Sequence, residues 1–292
     1  MNTTDLTNTM PVMVPCPLGF PGQRLMPEKS SILYYRRYIE QLQWDETQKE
    51  NFRQSIGLEA GEKLVFFSIA GWALQAAMVV TEALDAWLKH FSGMLEMIFE
   101  GVREKTTLIV ICDYPLFINS TVGRVRTINW QSIPFDAYSK FMTASHLFMT
   151  TNAMSNSIAQ AVMSKIPAAC LISSGRDFRK NEAIPAEMLP WFEVAEDRYP
   201  DILKPYLVFP LGWQEILAPL FEKNPFMNTF EFLDIFHPVG ATNVINDLLF
   251  NSEKKESVFE EQEKYREQID YLPKPEKIMK ILIEKFSGNF GK

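Results

Sequence analysis

What most limits the fold of this chain is a set of continuous apolar runs, each too short to cross a membrane and too apolar to leave a face in water. They occupy residues 63–69, 107–112, 146–151 and 167–174 and are built largely from Val, Ile, Leu, Phe and Ala. Runs of this length without polar alternation predict strands covered on both faces, as in a parallel sheet. Segments with the other period lie between them. Leu84, Trp87, Leu88, Phe91, Leu95, Ile98 and Val102 recur at intervals of three and four, so one face of a helix must be covered there. The pattern also predicts helices around 135–145 and over 155–165, and a strand over 121–130. Strands that alternate with helices at short spacing form βαβ units with right-handed crossovers. The expected fold class is therefore α/β, with a doubly wound parallel sheet.

The flanks read differently. Residues 1–30 hold five prolines among Thr and Asn, which predicts an extended arm without a core of its own, of the kind that crosses between units. Leu33, Tyr34, Ile39, Leu42, Phe52 and Ile56 predict short helices before a break at 57–62. The division expected is thus an arm with short helices over 1–62 and one domain over 63–292. Within the domain, the charged, proline-containing segment 175–204 reads as an insertion and 206–211 as a further strand. Helices over 243–250, 253–270 and 276–286 are expected to close the chain.

Composition removes several classes of function. At 292 residues and 47% hydrophobic the chain can bury a large core. A net charge of -7 with both signs interspersed lacks the clustered Lys and Arg of a nucleic-acid footprint. Cys16, Cys112 and Cys170 are odd in number and far apart, as reduced thiols are. With no basic-then-apolar leader and no run of eighteen apolar residues, a cytoplasmic protein without a membrane span is expected. His90, His146 and His237 form no metal spacing with Cys or carboxylates. Neither a Gly-x-Gly-x-x-Gly nor a Walker A loop occurs, and no nucleophile elbow surrounds Ser68, Ser155 or Ser157. No metal and no bound cofactor are expected.

The stretch 146–172 is the most informative. It reads as a strand, a loop, a helix opening near Ser155, a turn through Ser164, Lys165, Ile166 and Pro167, and a second strand. This order resembles the donor-diphosphate segment in the C-terminal half of GT-B glycosyltransferases. The loop of that family commonly reads His-Gly-Gly-x-x-Ser-x-x-Glu-Ala. Here Asn152, Ala153 and Met154 stand at the His-Gly-Gly, Ser157 at the Ser, Gln160 at the Glu and Ala161 at the Ala. The physical logic is that a helix start offers free N–H groups and a positive dipole end to a diphosphate without a metal. Residues 68–72 and 129–135 stand where the family places a phosphate-facing loop and a nucleobase-pairing loop, and the similarity runs over roughly 63–286.

The resemblance implies a single Rossmann-like GT-B half with an added N-terminal arm and C-terminal helices. It implies a nucleotide-sugar site at Ser68, Gly71, Trp130, Ile133, Asn152, Ala153, Met154, Ser155, Asn156, Ser157 and Gln160. Arg176, Glu231 and Asp234 stand as further phosphate or sugar contacts, against a solvated insertion for Arg176 and helix packing for 231–234. The sugar nucleotide would be a substrate, and the catalytic residues are not identified. An acceptor-binding half, absent from this length of chain, would come from a second polypeptide or from another copy of the chain. The alternative is a non-catalytic scaffold that kept the fold, docking a partner through Val12, Val14 and Phe20.

Overall fold

The computed structural model describes residues 12–16, 19–20, 32–37, 42–69, 81–117, 119–172, 221–235 and 237–286. Side chains are described throughout these except at 12, 32, 81–90 and 285–286. Seven strands form one sheet: β3 (Lys63–Ser68), β4 (Thr106–Ile111), β5 (Thr121–Val122), β6 (Val125–Trp130), β7 (Leu147–Thr150), β8 (Ala168–Ile172) and β9 (Glu231–Asp234). Their order is β5-β6-β4-β3-β7-β8-β9, parallel throughout except for the edge strand β5. From β3 the chain winds outward through β4 and β6, then returns to β7 on the other side of β3 and winds the opposite way.

The apolar runs explain why this sheet is covered twice. Along β3, Val65 and Phe67 join one core while Leu64 and Phe66 join another. The first core packs helices α2 (Thr81–Glu100) and α5 (Pro238–Phe250) on the sheet; the second packs α3 (Phe135–Ala144), α4 (Asn156–Met163) and much of α6 (Ser252–Asp270). Helix α1 (Glu46–Ser55) lies on the second face through Phe52, and α7 (Pro275–Phe286) closes the described chain. At the first face the packing is close. Asn246 of α5 donates to the Gly101 carbonyl at 3.0 Å and accepts from the Arg103 amide at 2.9 Å, capping the end of α2. A Cβ on Gly101 would meet Thr242 Cγ2 at 2.7 Å.

The structure departs from the sequence reading at three places. The single strand expected over 121–130 is a hairpin, β5 and β6, because Gly123 turns the chain at φ 57° against the carbonyl of Glu100. This makes one edge of the sheet antiparallel. Residues 32–36 are not helical but form strand β2 (Ile32–Arg36), parallel to β1 (Val12–Cys16). Residues 231–234 form a strand, not a packing helix.

The described parts of the arm lie on this chain's own helices. Cys16 is fully buried in the second core, Val14 is buried, and Phe20 meets Tyr265 at 6.3 Å between ring centroids. Val14 is therefore not an exposed docking residue, and Phe20 is already half-covered. The strand expected at 206–211 and the insertion at 175–204 lie outside the described residues.

Candidate functional site

All parallel strands end at the same edge of the sheet, so their carboxyl ends bring Ser68, Ile111, Trp130, Thr150, Ile172 and Asp234 to one side. The winding reverses between β3 and β7, and the connections leaving them diverge to opposite faces. Ser68 and Thr150 pair across that reversal. In open α/β sheets a crevice forms at such a point.

The loop from β7 into α4 follows from local hydrogen bonding. Asn152 accepts the Met154 amide on Oδ1 at 2.9 Å and, through its carbonyl, the Ser155 amide at 3.1 Å, an Asx turn. Ser155 caps α4, its Oγ accepting from the Ile158 amide at 3.1 Å. The Ala159 amide already bonds the Ser155 carbonyl. Among the described residues this leaves the amides of Asn156 and Ser157 open in the first turn, which is where the positive end of the dipole lies.

Two hydroxyls share this place. Tyr138, on α3, packs edge-on against Phe66 at 5.0 Å and carries its buried hydroxyl beside those of Ser157 and Ser68. Neither neighbour is close and aligned enough for a full hydrogen bond, so the hydroxyl has no partner among the described residues. Burial pushes the phenol above its ordinary value and the two serines draw it partly back, so it stays protonated at neutral pH and can donate. Thr151 is 2% exposed, and its Oγ1 likewise lacks a partner among the described residues. Buried hydroxyls without partners are costly; here one of them, that of Tyr138, lies beside Ser157 in the first turn of α4.

The remaining expected residues divide. Ala153 is fully buried in the core, and Gln160 points its amide inward to Ser139 Oγ at 3.4 Å. Trp130 ends β6, its ring edge-on to Phe141 at 5.0 Å and its carbonyl taken by the Cys112 amide at 2.9 Å. Ile133 is half-buried against the second core. Gly71 and Arg176 lie outside the described residues. Glu231 sits at the opposite end of β9 from the carboxyl edge and pairs with Lys254 at 2.6 Å. Asp234 is at the carboxyl edge, where Oδ2 meets His237 Nδ1 at 2.7 Å just before α5. The structure thus brings Ser68 and Ser157 to Tyr138, with Asn152, Ser155 and Asn156 in the loop and first turn that carry Ser157, and Trp130, Asp234 and His237 elsewhere along the edge.

Sequence reasoning missed Tyr138, whose role depends on α3 lying across β3, and Asn129. Asn129 holds the loop after β4, accepting from the Leu116 amide at 3.2 Å and donating to the Phe117 carbonyl at 3.0 Å. The three cysteines are free and buried; burial pushes Cys16 up to about 12 and Cys112 up to about 11, and raises Cys170 further. None is a ready thiolate nucleophile. Among the described residues no group of three His, Cys, Asp or Glu could hold a metal, and no helix is long and apolar enough to cross a membrane.

Comparison with known proteins gives a family without an activity. The chain belongs to the family described as a family of unknown function (DUF6365), whose model matches residues 1–288. No curated protein matches it in sequence. Solved structures it is similar to include the calicheamicin glycosyltransferase CalG4, at 10% identity over 91% of this chain and 49% of that one, with a TM-score of 0.41. Others are SnogD from Streptomyces nogalater (11%, 89% and 54%, TM-score 0.43) and the spinosyn rhamnosyltransferase SpnG (10%, 89% and 52%, TM-score 0.45). The chain spans about half the length of these structures. At such scores the likeness carries no argument about activity.

Proposed function

We propose that the carboxyl edge of the sheet binds the diphosphate of a nucleotide sugar, and that the chain serves in the cytoplasm as the donor-binding half of a glycosyltransferase. The observation that carries the reading is the meeting of two open amides, those of Asn156 and Ser157, with the unpartnered Tyr138 hydroxyl at the point where the sheet reverses its winding. Backbone N–H groups are donors only and the neutral phenol can donate as well, so together they favour an acceptor-rich anion. Fixed in place beforehand, they would stabilise the charge that develops on a departing nucleoside diphosphate without reorganising. The donor's base would lie along the loop after β6, near Trp130 and Ile133. A second chain would supply the acceptor site.

Binding is tested by thermal unfolding with UDP, GDP and TDP. A ligand at one hundred times its dissociation constant adds about 2.7 kcal/mol of stability. Ser157→Glu places a carboxylate at the open amides and should abolish the shift while the unliganded protein melts as before. If no nucleotide shifts the wild type, or if the variant still responds, this edge is not a diphosphate site.

A further inference from the structure

At the opposite, amino-terminal edge of the sheet lies a cavity of about 210 Å³ between α1, the starts of β7 and β8, and α6. Its charged lining consists of Lys49, Arg53, Lys165 and Lys255, with Glu46 as the one carboxylate, and His146 forms part of the wall. We propose that this cavity is a binding site for a small, multiply charged oxyanion of the phosphate class, separate from the site at the carboxyl edge.

Three features support the assignment. The first is that one of the cations, Arg53, is placed by the fold rather than carried on a loose surface chain. Arg53 is 6% exposed, and its Nε donates to the Ala144 carbonyl at 2.7 Å. Its Nη1 reaches Glu50 at 3.2 Å, and no hydrogen bond among the described residues uses Nη2. Lys255 has no ion-pair partner among the described residues, although it opens onto the same space. Within the lining Glu46 pairs with Lys49 at 3.0 Å and reaches Arg53 at 3.6 Å, so one carboxylate faces four cations; the other partners, Glu50 for Arg53 and Glu263 for Lys165 at 2.7 Å, are half-exposed and lie outside the lining.

The second is Lys165 itself. It follows α4 at φ 53°, its amide bonding the Val162 carbonyl at 3.1 Å while the Ile166 amide bonds the Ala161 carbonyl at 3.0 Å. This is a Schellman end, and its left-handed position is one that glycine fills without strain. A lysine there accepts backbone strain and brings a cation to the cavity.

The third is His146. Its Nδ1 accepts the Leu64 amide at 3.0 Å, so the neutral ring carries its proton on Nε2 as a donor. Burial, and then the charges of Arg53, Lys63, Lys255 and Lys49, push its pKa down to about 3. Burial is the larger cause, and the four cations act in the same direction. The cavity lies below the roughly 300–1,000 Å³ of sites for drug-sized molecules, which suits inorganic phosphate or a short phosphate monoester.

Isothermal titration with inorganic phosphate and with glycerol 3-phosphate, at fixed ionic strength, distinguishes saturable binding from the general stabilisation that phosphate gives by exclusion. Saturation with one of them is expected, and the tighter of the two identifies the free or esterified form as the natural ligand. Lys165→Gly should raise the melting temperature by relieving the backbone and yet weaken binding at least threefold. Lys165→Gly with Lys255→Gln should weaken it at least tenfold, and Ser157→Glu should leave it unchanged. No saturable heat with either anion, or equal affinity in the double variant, overturns the assignment. Loss of binding in Ser157→Glu would place the anion at the carboxyl edge instead.

Discussion

The two edges of the sheet are made of different materials. The carboxyl edge presents backbone amides and hydroxyls: Asn156 and Ser157 at the start of α4, with Ser68 and Tyr138 beside them. The amino edge presents charged side chains, with Arg53, Lys49, Lys165 and Lys255 around one cavity. Beside it, Glu62 is buried and accepts from Thr107, which in turn accepts from Arg126 Nε at 3.0 Å. The difference shows how a parallel sheet divides its work. Helix starts gather where the strands end and provide a field without any ionised group, whereas the other edge meets helix ends and must import its charges on side chains. A field made of backbone is always present; one made of side chains has to be held against its own repulsion.

The largest test of that contrast is the response to acid. His146 has a folded pKa of about 3 against an ordinary 6.5, so between these values the unfolded chain takes up a proton that the folded chain refuses. Stability should therefore fall as the pH drops from 6.5 towards 3, by up to about 1.4 kcal/mol per pH unit from this group. His146→Asn, followed by urea unfolding across that range, should show a shallower acid limb. Equal slopes would mean that the folded amino edge does not hold His146 unprotonated.

A smaller effect is expected from Arg53→Met, which keeps the apolar stem and strands the buried Ala144 carbonyl. Losing a hydrogen bond from a charged donor costs about 1.5–3 kcal/mol, read as a lower urea midpoint with an unchanged slope. Smallest of all is Ser155→Ala at the carboxyl edge. It removes the cap of α4 at a cost of about 1 kcal/mol and frees the Ile158 amide towards the proposed diphosphate site. If Ser155→Ala proves more damaging than Arg53→Met, the carboxyl edge depends on side chains after all.

The sequence revealed the sheet more readily than the sites. The strands β3, β4, β7 and β8 are covered on both faces, so their apolar character is continuous and needs no knowledge of neighbours. The pair β1 and β2 lies half-covered on α6 and α7, and a spacing such as Leu33, Tyr34 and Ile39 fits a helix as well as a ribbon. The hairpin at Gly123 was hidden because its flanks are both strand-like, and the glycine's necessity comes from Glu100 on a different element.

At the carboxyl edge the capping serine and the small-residue loop were legible, being local. The inward turn of Gln160 and the approach of Tyr138 were not, since each depends on how α3 and α4 share one face. The amino-edge cavity left no trace along the chain. Its residues come from 46 to 259 and meet only when the second layer of helices is laid down.

The ribbon of β1 and β2 has a consequence for how the chain is made. The Arg36 amide bonds the Pro273 carbonyl at 2.9 Å, and the Arg36 guanidinium pairs with Asp270. A nascent chain leaving the ribosome can assemble β3 to β8 early. Strand β2 must wait, unfastened, until more than two hundred further residues have been synthesised and α6 has emerged. The last step of maturation is then a latch, and a cell that stalls translation near residue 260 would hold a nearly complete sheet with its opening ribbon still loose.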